Sequence, residues 1–319
     1  WGGVARRGRR RQLGPARSRE LIVGTTLLAS VRSCGTTTLA VALAATWPAR
    51  RRVLLVELDP AGGTLAAASG WAAEPSLVSL AAAARRSSDP EAIWAHCQHL
   101  PGGAAVLAAP PYPEQARSAA ALLTALVGRL GDLDADVLVD AGRLDPQASL
   151  PGGAALAGRV VLSVRPRLAD LHGLASVLEH RSFFEHRGTN DALVEAGRLG
   201  LVSVGDGPYP DGEVAEALGV EVLGRLPWDP QGAELLTALP ASDRRLRLSP
   251  LVRAARSLAE NLAGDGALQP TPSATAEEPA PPGGGIRTRL LRPPRITAAL
   301  RTGSGVSRNG SASSGEAHL

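Results

Sequence analysis

Residues 21–46 read Leu-Ile-Val-Gly-Thr-Thr-Leu-Leu-Ala-Ser-Val-Arg-Ser-Cys-Gly-Thr-Thr-Thr-Leu-Ala-Val-Ala-Leu-Ala-Ala-Thr. An apolar strand-like run enters a short loop, and the loop opens an Ala/Leu-rich helix. Backbone N–H groups of such a loop, with the positive end of the following helix, attract phosphate. The phosphate-loop pattern is Gly-x-x-x-x-Gly-Lys-Ser/Thr. Here Ser30 takes the first Gly position, Gly35 the second, Thr36 the Lys position and Thr37 the metal-binding hydroxyl position. The chain holds no lysine at all, and its 34 basic residues are all arginine. A tight strand-to-helix turn with a threonine N-cap would give the same local pattern.

Strand-like and helix-like segments alternate around this stretch. Leu21–Leu28, Arg52–Leu58, Ala104–Ala108, Asp136–Asp140, Arg159–Val164, Leu199–Val204 and Val222–Leu226 read as strands. Thr37–Thr46, Glu114–Leu130, Ala169–Arg181, Asp211–Leu218 and Leu251–Ala263 read as helices. Continuous apolar runs such as Val53–Val56 suit strands buried on both faces. The expectation is an α/β fold, doubly wound, with a mostly parallel sheet and helices on both faces.

Two further segments end strands in carboxylates. Asp59 closes Val53-Leu54-Leu55-Val56-Glu57-Leu58-Asp59-Pro60, where such sheets bind ligands. It could hold a metal-bound water or polarise an attacking one, or simply cap the turn that Pro60, Gly62 and Gly63 make. Asp140 closes Val137-Leu138-Val139 and is followed by Ala141-Gly142, as a second metal-site carboxylate would be.

Composition limits the alternatives. A chain of 319 residues is long enough for a substantial aliphatic core. Cys34 and Cys97 cannot form a disulfide framework, so a reducing, cytoplasmic setting is expected. No apolar run approaches the ~20 residues that span a bilayer. There is no methionine, even at position 1, which suggests an incomplete start. Residues 1–19 carry 7 Arg and no acid, and 285–319 carry 6 Arg and one acid, while 20–284 hold 21 Arg against 29 acids. The expected organisation is a basic disordered arm (1–19), a nucleotide-binding domain (20–264) and a disordered Pro/Gly/Ser/Arg-rich tail (265–319). Basic ends suit nucleic acid or an anionic membrane, or are plain solvated tails.

Residues 21–263, about three quarters of the chain, resemble the MinD/ParA family of P-loop proteins. The resemblance rests on Val31-Arg32-Ser33-Cys34-Gly35-Thr36-Thr37-Thr38 against the family's Lys-Gly-Gly-x-Gly-Lys-Thr-Thr. It rests also on Glu57-Leu58-Asp59-Pro60 against Asp-x-Asp-Pro, and on the Pro227-Trp228-Asp229 loop, which in the family lies near the base. The likeness is to its pilus-assembly (CpaE/TadZ-like) or chromosome-partitioning members. It implies an ATP/ADP and Mg²⁺ site in which Arg32, Ser33, Cys34, Gly35, Thr36, Thr37, Thr38, Pro227, Trp228 and Asp229 contact nucleotide. Thr37, Asp59 and Asp140 would hold the metal, and Asp59 would be catalytic. It implies a switch or scaffold serving a pilus, secretion or partitioning system, with a homodimer formed around nucleotide. The family's cross-dimer lysine falls on Val31, and Arg32 is the loop's only cation. Binding is therefore expected to survive better than hydrolysis, since a preorganised cation acts mainly where transition-state charge develops. The alternatives are a scaffold that binds no nucleotide and works through its basic tails, and an ATPase in which Arg32 replaces lysine.

Weaker candidates are a metal site at His96-Cys97-x-His99, a reactive Cys34 thiol at the helix start, and stacking by Trp71, Trp94 or Trp228. The loop Gly205–Pro210 could rim the site.

Overall fold

A computed structural model describes residues 22–48, 50–84, 89–130, 133–144, 157–179, 194, 197–240 and 242–264. They all fall in one compact unit, Trp1–Pro279. The arm 1–19 and the tail 265–319 lie outside the described residues.

Eight strands form one sheet in the order β3-β4-β2-β5-β1-β6-β7-β8. They are β1 (Ile22–Ser30), β2 (Arg52–Glu57), β3 (Gln98–His99), β4 (Ala105–Leu107), β5 (Ala135–Arg143), β6 (Ala157–Val164), β7 (Leu199–Val204) and β8 (Val222–Leu226). Every pairing is parallel except the short edge pair β3–β4. All seven strands read from sequence are present. β5 runs three residues past Asp140, because Arg143 pairs with Ser30 and the Leu144 N–H donates to the Ser30 carbonyl at 2.7 Å.

Successive side chains on the central strands point to opposite faces. One face carries Leu27, Leu54, Val56, Val137, Val139, Val160 and Leu162, and the other Leu28, Leu55, Leu138, Val161 and Val202. The second face is covered by α1 (Thr36–Thr46) and α9 (Pro250–Gly264). α9 is amphipathic, burying Leu251, Val252, Ala255, Leu258, Ala259 and Leu262 at helical spacing. α1 is buried nearly all round, which explains its Ala/Leu composition without a polar face. The first face is covered by α3 (Leu77–Ala83), α4 (Pro113–Leu130), α5 (Leu168–Glu179) and α6 (Asp211–Leu218). Helices on both faces of a parallel sheet make the fold doubly wound.

Several small elements had no expectation attached. They are β3, α2 (Leu65–Ala68), α3, the 3-10 helix Pro90–His96, α7 (Pro230–Leu235) and α8 (Arg244–Leu248). Each is under eight residues, too short for its period to show. The central position of β1, between β5 and β6, sets its outgoing loop beside Asp140 on one side and Ser163 on the other.

Candidate phosphate and metal site

The loop Val31–Gly35 leaves β1 and ends in Gly35, whose φ of 88° and ψ of 34° are left-handed. That conformation suits glycine and turns the first N–H groups of α1 outward. Gly35 caps the helix with no side-chain hydrogen bond. Among the described residues, the backbone N–H groups of Thr36, Thr37 and Thr38 have no partner. Three aligned free donors at the positive end of an eleven-residue helix make an anion cradle.

The side chains of the loop divide by direction. Cys34 and Thr36 turn inward: the Cys34 thiol donates to the Ser163 carbonyl at 3.1 Å, and the Thr36 hydroxyl lies 3.0 Å from Ser163 Oγ. Thr36 is 5% exposed, so the lysine position is filled by a short hydroxyl tied to β6. Burial pushes the Cys34 thiol pKa up, which removes the basis for a reactive thiolate. Val31 packs against the core at the cross-dimer lysine position. Arg32 and Ser33 are exposed. The Arg32 guanidinium pairs with Asp170 of α5 at 3.7 Å. Thr37 and Thr38 are half-buried, on the outer side of the helix start.

Three carboxylates stand at the C-terminal ends of β2 and β5. Glu57 and Asp140 are register partners on these adjacent strands. Glu57 is buried and fully engaged: Oε1 accepts from the N–H groups of Thr64 (2.7 Å) and Leu65 (3.1 Å), and Oε2 from Ala109 (3.0 Å). Burial raises its pKa, opposed by those three donors. Sequence reading treated Glu57 as part of a motif and missed this stapling role. A charge closing an apolar strand was the available signal.

Asp59 Oδ1 accepts from the Ala61 N–H at 2.7 Å. Its other oxygen lies against Gly142, where a Cβ would collide with it and where φ is +60°. Gly142 therefore lets the β2 and β5 ends approach. Burial raises the Asp59 pKa, while the Arg143 guanidinium pulls it down.

Asp140 is fully buried. Oδ1 accepts from the Gly142 N–H at 3.0 Å, while Oδ2 has no hydrogen-bond partner among the described residues. Burial pushes its pKa up to about 7, with Glu57 and Asp59 adding to the rise and the Thr37 hydroxyl and Gly142 N–H opposing it. An unpartnered buried carboxylate oxygen near a threonine hydroxyl fits Mg²⁺, which takes one or two protein oxygens and fills its octahedron with water and phosphate. Among the described residues, no three His, Cys, Asp or Glu side chains cluster so as to enclose a metal by themselves. The His96–His99 candidate dissolves into other bonds: His96 Nδ1 lies 2.8 Å from Ser79 Oγ, and the buried Cys97 thiol, its pKa pushed up to about 12 by burial, donates to the Ile93 carbonyl.

The β8 loop splits likewise. The Asp229 side chain caps α7 through the Gly232 N–H (2.9 Å) and accepts from the Ser249 hydroxyl (2.6 Å), so its carboxylate is used inside the fold. Partial burial works against its charge, but these bonds hold its pKa below the usual carboxylate range. Pro227 is half-buried, and Trp228 is 61% exposed and lines a cavity of about 290 Å³ with Arg165, Arg167, Val204, Gly205 and Asp206. Of the loop Gly205–Pro210, Gly205 and Asp206 line this cavity. Behind the cavity, Arg225 clamps the loop by donating to the Gly205 carbonyl (2.8 Å) and to both oxygens of Asp211. Trp94 is elsewhere, stacked under Arg52, and Trp71 packs beside the core.

A central parallel strand opening through a left-handed glycine onto a free helix N-terminus, with carboxylates on the next strands, is the α/β architecture of P-loop nucleotide-binding proteins. Within that class the chain has the fold of the MinD/ParA ATPases. A ParA family ATPase from Chlorobium tepidum superposes with a TM-score of 0.60 at 16% identity, covering 74% of this chain and 98% of that one. The cell division ATPase MinD of Pyrococcus furiosus gives 0.55 at 20% identity, covering 76% and 99%. The septum site-determining protein MinD of Pyrococcus horikoshii, complexed with Mg-ADP, gives 0.51 at 20%, covering 77% and 100%. No protein-family model and no curated protein matches the chain. Among the described residues, no helix is long and apolar enough to cross a membrane.

Proposed function

We propose that this protein binds ADP or ATP with Mg²⁺ and acts as a nucleotide-dependent switch or scaffold, of the partitioning, division or pilus-positioning kind, with slow or absent hydrolysis. One observation carries the reading: the free N–H groups of Thr36–Thr38 stand beside the orphaned Oδ2 of Asp140. The backbone donors would take the terminal phosphates. Thr37 Oγ1 and Asp140, with Asp59 behind, would hold Mg²⁺, which neutralises phosphate charge when bound. The Mg-ADP complex of the MinD relative supports the ligand class.

Weak turnover follows from the cations. The lysine position holds Thr36, bonded to Ser163, and Arg32 is paired with Asp170. Asp59 can accept a proton from water, but the loop offers no ammonium to meet the charge of the transition state. A missing donor of that kind costs on the order of 100- to 1000-fold in rate. Binding loses less, about 10- to 100-fold for one charge-assisted bond.

Calorimetric titration of the full chain with ADP and Mg²⁺ tests the proposal. Saturable binding with a Kd in the range of about 10 µM to 1 mM is expected, weakened when EDTA removes the metal. Without saturation at millimolar ligand, the chain is the alternative scaffold.

A further inference from the structure

Resting on the nucleotide reading above, we infer that the cation missing from the loop is supplied by the neighbouring strand: Arg165, at the end of β6, binds the nucleotide phosphates in place of the absent lysine.

β6 pairs with β1 up to Ser163–Ser30, so the chain leaving β6 runs beside the loop leaving β1. Ser163 is the residue that holds Cys34 and Thr36, and Arg165 follows two positions later. The turn there is tight, the Arg167 N–H donating to the Arg165 carbonyl at 2.7 Å. It is pressed against the loop after β7, since a Cβ at Gly207 would strike the Pro166 carbonyl. Both arginines line the 290 Å³ cavity. The turn is thus fixed from two sides and presents two guanidinium groups to one space.

Arg165 differs from Arg32 and Arg225 in having no carboxylate partner among the described residues, and from the exposed Arg167 of the same cavity in being half-buried over Trp228. Arg32 is paired with Asp170, and Arg225 with Asp211. No carboxylate lies within ion-pair distance of Arg165 among the described residues. Its guanidinium instead sits over the Trp228 ring, 4.9 Å from the centroid. A half-buried cation without a counter-ion keeps its full attraction for an incoming anion. Its charge already reaches the loop, where it lowers the Cys34 thiol pKa against the larger rise from burial. The planar fork of an arginine also matches a phosphate through two parallel bonds. Asp206, on the same cavity, repels a polyanion and suits hydroxyl or amino groups. The phosphates therefore belong on the loop side of Arg165, and the uncharged part of the ligand toward Asp206 and Trp228.

Calorimetric titrations of the full chain with Mg-ADP and with adenosine, compared between wild type, Arg165→Ala, Arg165→Lys and Arg253→Ala, test the assignment. Arg253 lies exposed on α9 and controls for a general loss of charge. Arg165→Ala should weaken Mg-ADP about 10- to 100-fold and leave adenosine within about twofold. Arg165→Lys should recover most of the loss, and Arg253→Ala should change nothing. Equal weakening of adenosine and Mg-ADP would make Arg165 part of a stacking wall and overturn the inference. Unchanged Mg-ADP binding in Arg165→Ala would overturn it while leaving the nucleotide reading intact. Absence of wild-type binding would instead defeat the reading beneath it.

Discussion

Replacing Glu57 by alanine should lower the thermal midpoint by roughly 10 °C, the largest stability loss expected from any single change at this site. The cause is a loss of acceptors. Glu57 satisfies three backbone N–H groups at once, those of Thr64, Leu65 and Ala109, in a place 1% exposed. A buried donor left unpaired costs about 1–3 kcal/mol, so the three together come to about 4 kcal/mol after relaxation. The damage should extend beyond stability. Those donors belong to the loops after β2 and β4, and the β2 loop carries Asp59. Glu57→Gln keeps one carbonyl oxygen in place and sheds the buried charge, so it should cost only about 1 kcal/mol. Thermal unfolding of both variants at pH 7 checks this. Equal midpoints for the two would show that the N–H staple contributes little.

Asp140→Asn should have the opposite effect on stability and an even larger effect on binding. In the fold Asp140 holds its proton up to about pH 7, against 3.8 for the free side chain. Between those values the native state binds more protons than the unfolded chain, so stability falls as pH rises through this window. Above it the cost of the buried charge levels off at about 4 kcal/mol. Asparagine removes that cost, and burying its amide returns some of it. A net gain of roughly 2 kcal/mol at pH 8, or about 4–8 °C, is expected, and no gain at pH 4. The same change removes the anionic oxygen proposed for Mg²⁺. Mg-ADP affinity should drop at least about 100-fold, toward the affinity of metal-free ADP. A carboxylate that weakens the empty fold and strengthens the occupied one is the signature of a ligand site. Unfolding curves at pH 4 and pH 8, with a calorimetric titration, measure both halves. An asparagine variant less stable than wild type at pH 8 would contradict the account of Asp140.

The sheet was legible in the sequence because its central strands are long, aliphatic and bounded. Leu54–Val56 and Val160–Val164 are buried on both sides and so lack the alternation of a half-exposed strand. The ordered set of loop, Asp59 and Asp140 was legible because each closes or follows such a strand. Side-chain direction was not. The resemblance makes Thr36 and Cys34 nucleotide contacts, and Ser163, the residue that turns them inward, carries no motif. Asp229 read as part of a base loop, yet Asp-Pro-Gln-Gly is also a helix start, with the acid as N-cap and Pro230 at the first helical position. That signal was present and outranked by the motif. Arg165 was out of reach because its role depends on β6 lying beside β1, a non-local fact that spacing along the chain does not encode.

The missing lysine thus has a structural counterpart. The Cys34 thiol and the Thr36 hydroxyl close the space below the loop by bonding to Ser163, and the half-buried Arg165 guanidinium lies on the β6 side. What remains for phosphate at the loop itself is backbone. Amide chemical-shift mapping of ¹⁵N-labelled full-length protein with Mg-ADP addresses that claim directly. The amide signals of Gly35, Thr36, Thr37 and Thr38 should shift together and saturably, with the Thr36–Thr38 N–H groups showing the largest changes. Saturable binding that leaves those four signals in place, or no binding at all, would contradict it.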